Sequence, residues 1–94
     1  MIEYIYDVIK ASAGQEFIVT AKITTENGTV PTGCHFNLYD GENKIATHQG
    51  TCANGVYEFI IPAETTAKLR GRYWYCICDE KHSTLNFRKP IYFE

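Results

Sequence analysis

Four cysteines and three histidines are the residues in this 94-residue chain whose types could carry chemistry. His48 and Cys52 stand four apart, and Cys76, Cys78 and His82 follow one another closely. A zinc site would need four such ligands to converge tetrahedrally. The paired C-x-x-C knuckle that usually brings them together is absent. A thiol nucleophile made from Cys76 or Cys78 with His35 or His82 would also need an oriented base, an oxyanion site and a pocket. The sequence offers no glycine-rich loop or helix start to build them. Asp7, Glu58, Asp79 and Glu80 lack the spacing of paired acid–base carboxylates and read as solvated charges. Asn27-Gly28-Thr29 matches a glycosylation acceptor but makes an equally good tight turn. The expectation is a protein without catalytic residues, metal or cofactor.

Composition narrows the class further. A single domain spanning 1–94 is the ceiling for this length, with one apolar core and no room for a deep substrate cavity. Nine basic residues nearly balance eleven acidic ones, for a net charge of −2. That balance, without blocks of like charge, gives no footprint for nucleic acid or an acidic membrane. No run approaches the ~20 apolar residues that cross a bilayer, and MIEYIYDVIK lacks a basic segment leading into an apolar one. Without a secretion signal the cysteines are expected as thiols, with Cys34 in the core and Cys76 and Cys78 facing outward near an interface.

The elements that must position these residues read as strands. Seven tyrosines, five phenylalanines and a tryptophan accompany recurrent Val, Ile and Thr, which is strand composition. Turn residues recur at Ala13-Gly14, Glu26-Asn27-Gly28, Pro31-Thr32-Gly33, Asp40-Gly41, Asn54-Gly55 and Pro62. Tyr4 to Ile9 reads as a first strand. Phe17, Val19, Ala21 and Ile23 alternate with Ile18, Thr20, Lys22 and Thr24 and give the next strand a dry face. Cys34, Phe36 and Leu38 form another inward row, followed by an Asp40-Gly41 hairpin turn into Lys44 to His48. Tyr57, Phe59 and Ile61 share one side of a strand that Pro62 ends, because proline has no N–H to donate. Ala63 to Lys68 is long enough only for a helical turn. Tyr73, Tyr75 and Ile77 then oppose Arg72, Trp74, Cys76 and Cys78, and Leu85 to Phe93 closes the chain with Phe87, Ile91 and Phe93 inward. About seven strands with one helical crossover fit an all-β, immunoglobulin-like Greek-key sandwich.

Within LRGRYWYCI, the Gly71-x-Tyr73 spacing resembles a tyrosine corner, whose ring packs in the core while its hydroxyl bonds backbone upstream. The antibody pattern is not followed, since Leu69, Tyr75 and Phe36 stand where an acidic residue, a cysteine and a core tryptophan would be. The longer stretch YEFIIPAETTAKLRGRYWYCI with FRKPIYFE resembles small Ig-like domains of tailed-bacteriophage virion proteins. The matching residues are Ile61, Pro62, Thr66, Leu69, Gly71, Tyr73, Tyr75, Ile77, Phe87 and Ile91. Such domains occur in capsid decoration proteins, head fibres, baseplates and tail tips. The resemblance implies a virion protein made in the host cytoplasm, with capsid or tail proteins, or further copies of itself, as partners. A start at Met1 fits an auxiliary head protein better than a module of a long fibre.

The face opposite the expected core points to how such a protein would act. If the strands holding Cys34, Gly71 and Leu85 are neighbours, it displays His35, Asn37, Tyr39, Arg72, Trp74, Arg88 and Tyr92. Tryptophan beside tyrosine and arginine is the composition of a protein contact hot spot. Trp74, Arg72, Tyr39, Arg88 and Tyr92 are therefore the expected partner-binding residues, with Tyr73, Gly71, Phe59 and Phe36 structural. The expected function is non-enzymatic docking on a larger assembly. The alternatives are a carbohydrate- or host-surface-binding module, whose rings would stack on sugars, and a small thiol or metal protein using Cys76, Cys78 and a histidine.

Overall fold

The computed structural model describes residues 2–4, 9–24, 27–81, 85 and 88–94, with side chains described from Ala11 onward. The described strands are β1 (Ile2–Tyr4), β2 (Ile9–Ala11), β3 (Phe17–Ile23), β4 (His35–Asp40), β5 (Asn43–Gln49), β6 (Thr51–Ala53), β7 (Val56–Ile61), β8 (Gly71–Cys78) and β9 (Lys89–Phe93). One helical turn, α1 (Ala63–Thr66), lies between β7 and β8. They form two sheets in the orders β1-β3-β7-β6 and β2-β9-β8-β4-β5. The chain passes between the sheets from β3 to β4 and again from β7 through α1 to β8, which is the Greek-key path of an immunoglobulin-like sandwich. β2 runs parallel to β9, while the other strand pairs are antiparallel.

Period-two alternation decides which residues fill the space between the sheets. Val19, Ala21 and Ile23 of β3, Phe36 and Leu38 of β4, Tyr57, Phe59 and Ile61 of β7, Tyr75 and Ile77 of β8, and Ile91 and Phe93 of β9 are all buried, as is Cys34. The rings form a layer between the sheets. Phe36 stacks on Tyr75 at 5.1 Å, and Phe59 approaches Phe36 from the opposite sheet at 6.1 Å. Tyr57 stacks beside Phe59 at 5.8 Å, and its hydroxyl donates to the Pro31 carbonyl at 2.6 Å. Gly50, between β5 and β6, lies directly against this layer: a Cβ there would sit 2.5 Å from the Phe59 ring. Only glycine lets the backbone pass so close.

Several boundaries differ from the sequence expectation. The first strand is two short pieces, β1 on β3 and β2 on β9, so the N-terminal segment serves both sheets. Residues 5–8 lie outside the described residues. The hairpin loop between β4 and β5 is Gly41-Glu42, one place later than Asp40-Gly41, because Gly41 is the residue at positive φ while Asp40 pairs with Asn43. Glycine first in a two-residue loop is the pattern that type II′ turns favour. A register shift between Leu38 and Tyr39 skips Ile45 on β5 and leaves it exposed, which marks a β-bulge. The last strand starts at Lys89 rather than Leu85. Leu85 lies outside it, donating its N–H to the Ile77 carbonyl, and the pairing with β8 begins at Lys89 opposite Tyr75. Phe87 lies outside the described residues.

The expected tyrosine corner is also corrected. Tyr73 is half-buried, and its ring meets Phe93 edge-on at 5.6 Å. Its hydroxyl makes no hydrogen bond among the described residues. The crossover is instead tied down by Thr66, which is fully buried. The Thr66 hydroxyl accepts from the Gly14 N–H at 2.9 Å, and its proton faces the Ala63 and Gln15 carbonyls at 3.1 and 3.3 Å. Beside it, Thr65 Oγ1 bonds His48 Nε2 of β5 at 3.1 Å, joining α1 to the five-stranded sheet.

Thr66→Val should cost about 1–2 kcal/mol in denaturant unfolding, through the loss of hydrogen bonds from a buried hydroxyl. Tyr73→Phe should stay within about 0.5 kcal/mol of the parent. Burial lowers the pKa of His48 from its ordinary 6.5. Above pH ~6.5 both folded and unfolded chains hold this ring neutral. As the pH falls, the unfolded chain takes the proton first, so stability should drop until the lower folded value has been passed. His48→Gln should flatten the stability profile in that window.

Candidate functional site

The outward face of the five-stranded sheet brings the five expected contact residues together. Inward rows on β8 and β9 leave Arg72, Trp74 and Tyr92 on the other side of the pleat. Arg72 stands opposite Tyr92, and Trp74 lies between Pro90 on β9 and Tyr39 on β4. The Arg72 guanidinium lies 5.3 Å from the Trp74 ring centre. Arg88, just before β9, sits 3.9 Å from the centre of the Tyr39 ring and donates to the Gly41 carbonyl at 3.0 Å. These residues form a continuous row from Tyr92 through Arg72, Trp74 and Tyr39 to Arg88, spread over three adjacent strands. Both arginines are exposed, whereas Trp74, Tyr39 and Tyr92 are half-buried. The tryptophan is thus half-buried, with the Arg72 guanidinium over one face of its ring.

Asn37 departs from expectation. It occupies the outward register of β4, yet is only 3% exposed. It lies in the middle of the sheet, opposite Cys76 on β8 and Thr47 on β5. Cys76 and Cys78 also face outward and are likewise buried, at 2% and 3% exposure, so they are not surface thiols near an interface. The Asn37 amide donates to Cys78 Sγ at 3.3 Å and to the Tyr39 hydroxyl at 3.5 Å. The Cys76 thiol lies 3.5 Å from the same hydroxyl and 3.9 Å from Cys78 Sγ. Burial, followed by the contact with Cys76, raises the pKa of the Tyr39 hydroxyl. Sequence reasoning missed this polar cluster because strand alternation reports which side a residue faces, not whether its neighbours cover it.

None of the four cysteines is in a disulfide, and Cys52 is the exposed one. Burial raises the pKa of the Cys34 thiol in the core, which disfavours its nucleophilic form. His35 lines an open groove of about 520 Å³ with Gly33, Thr47, Gln49 and Glu80. Its Nδ1 lies 3.3 Å from the Gly33 carbonyl. No thiol lines that groove, but His35 stands directly opposite Cys78 in the β4–β8 register, so one of the expected thiol–imidazole pairs occupies facing positions. His82 lies outside the described residues. Among the described residues no three His, Cys, Asp or Glu side chains group as metal ligands, and no helix is long and apolar enough to cross a membrane.

No protein-family model matches the chain, and no curated protein sequence does. Among solved structures, the chain is similar to part of a Bacteroides vulgatus protein assigned as a glycoside hydrolase, with 15% identity and a TM-score of 0.55. The match takes in 92% of this chain but only 16% of that protein. At this identity the likeness concerns the fold alone: a sandwich of this kind can be one small part of a much larger chain.

Proposed function

We propose that this domain is a non-enzymatic virion protein of a tailed bacteriophage, a capsid auxiliary or decoration protein, which docks on a larger protein lattice through the outward face of its five-stranded sheet. The observation that carries the docking reading is the row Tyr92, Arg72, Trp74 and Tyr39, held in register by three hydrogen-bonded strands, with Arg88 anchored over Tyr39 and on the Gly41 carbonyl. Aromatic and arginine side chains dominate binding energy where they are packed and lose water. Here their backbones are already ordered by the sheet, which lowers the entropy lost on docking. The virion assignment is supported by the resemblance of the segment from Tyr57 to the end of the chain, through its Pro62, Thr66, Gly71, Tyr73 and Tyr75 pattern.

The stacked guanidinium groups favour a protein partner over a sugar. Rings that bind carbohydrate present an open face to the sugar, whereas Arg72 and Arg88 each lie against a face of Trp74 and Tyr39. The same arginines keep donors available for carboxylates or carbonyls of a partner.

Particles of the encoding phage stripped of this chain provide the test. The purified domain should rebind them, and Trp74→Ala should weaken rebinding by about 2 kcal/mol, roughly thirtyfold, while unfolding normally. Rebinding unchanged by the substitution would remove this face from the interface. Failure to bind particles, together with selective binding on a glycan array, would favour the carbohydrate-binding alternative.

A further inference from the structure

The polar cluster beside the aromatic row, on the same outward face, is an unusual filling for a buried part of a sheet. Cys76 Sγ, Cys78 Sγ, the Asn37 amide and the Tyr39 hydroxyl form a closed ring, with successive separations of 3.9, 3.3, 3.5 and 3.5 Å. Packing alone would be served as well by apolar side chains, without the cost of removing polar groups from water. Nδ2 is the Asn37 atom in this ring, while its Oδ1 is buried with no hydrogen-bond partner among the described residues.

Four contacts of the ring have the lengths that edges of a small metal cage require. A metal bound to both sulfurs at the ~2.3 Å of a zinc–thiolate bond would hold atoms 3.9 Å apart at an angle of about 116°, between tetrahedral and trigonal. The remaining three separations fall close to the roughly 3.3–3.8 Å edges of a tetrahedron whose arms are about 2.0–2.3 Å. Turning the Asn37 amide over brings Oδ1 to the place of Nδ2 with little change of shape. That would make the donors two thiolates and two neutral oxygens, which balance a divalent charge in a buried place where thiolates alone would be costly.

We propose that Cys76 and Cys78 form a two-thiolate clamp for a divalent ion of the zinc class, completed by the Tyr39 hydroxyl and the Asn37 carboxamide oxygen. Binding converts two thiols into metal-bound thiolates and releases their two protons to solvent, so it should strengthen as pH rises. The clamp would cross-brace β4 and β8 directly beside the aromatic row.

Titration of the reduced, folded chain with cobalt(II) provides a direct probe. One equivalent should produce thiolate-to-metal charge-transfer absorption, and zinc should displace it. Cys52→Ser should keep the band, while Cys76→Ser and Cys78→Ser should each lose it. A band retained in either of the latter variants, or absent from the parent chain, would overturn the site. Because serine at a buried position can disturb folding, X-ray absorption of the zinc-loaded parent supplies a test without substitution. Two sulfur neighbours at about 2.3 Å with oxygen completing the shell are expected. A shell without sulfur, one with four sulfurs, or no zinc retained after desalting would contradict the proposal.

Discussion

The contact between Phe36 and Tyr75 within one sheet, met by Phe59 from the other, is the interaction on which the remaining structure depends. It takes the place that a disulfide and a tryptophan occupy in antibody domains. Large rings bury more apolar surface per residue than aliphatic side chains, which matters in a chain with little interior to spare. The layer also fixes where other elements can go. Gly50 has to lack a side chain because Phe59 is already there, and the β7-to-β8 crossover has to be held by a small buried hydroxyl, that of Thr66.

The outward face inherits its order from that layer. With Tyr75 and Ile77 fixed inward, the pleat sends Trp74, Cys76 and Cys78 the other way. Strand register then sets Trp74 beside Tyr39, and Cys76 beside Asn37. A contact row and a buried polar ring are thus adjoining parts of one surface, sharing Tyr39. Arg88 over Tyr39 closes the row at one end, tied to the β4–β5 turn through Gly41. A rearrangement of β4 against β8 would disturb both features together.

Most of this architecture was legible in the sequence because it rests on alternation and punctuation. The inward rows of β3, β4, β7 and β8, the helical crossover and the pairing of Tyr39, Trp74, Arg72, Tyr92 and Arg88 on one face all follow from those two signals. What escaped depends on neighbours that a linear pattern does not display. The last strand starts at Lys89, and the Ile45 bulge shifts register within β5. Asn37, Cys76 and Cys78 read as exposed because they face outward, yet all three are buried. Gly71-x-Tyr73 suggested a corner whose hydrogen bonds Thr66 supplies instead.

The dependence on cross-sheet ring packing is tested most directly by the urea unfolding of Phe36→Ala beside the parent chain. Truncating a fully buried ring that touches both sheets is expected to cost about 3–5 kcal/mol, with a single cooperative transition and an unchanged slope. A loss below about 1 kcal/mol would mean that something other than the aromatic layer holds the two sheets together.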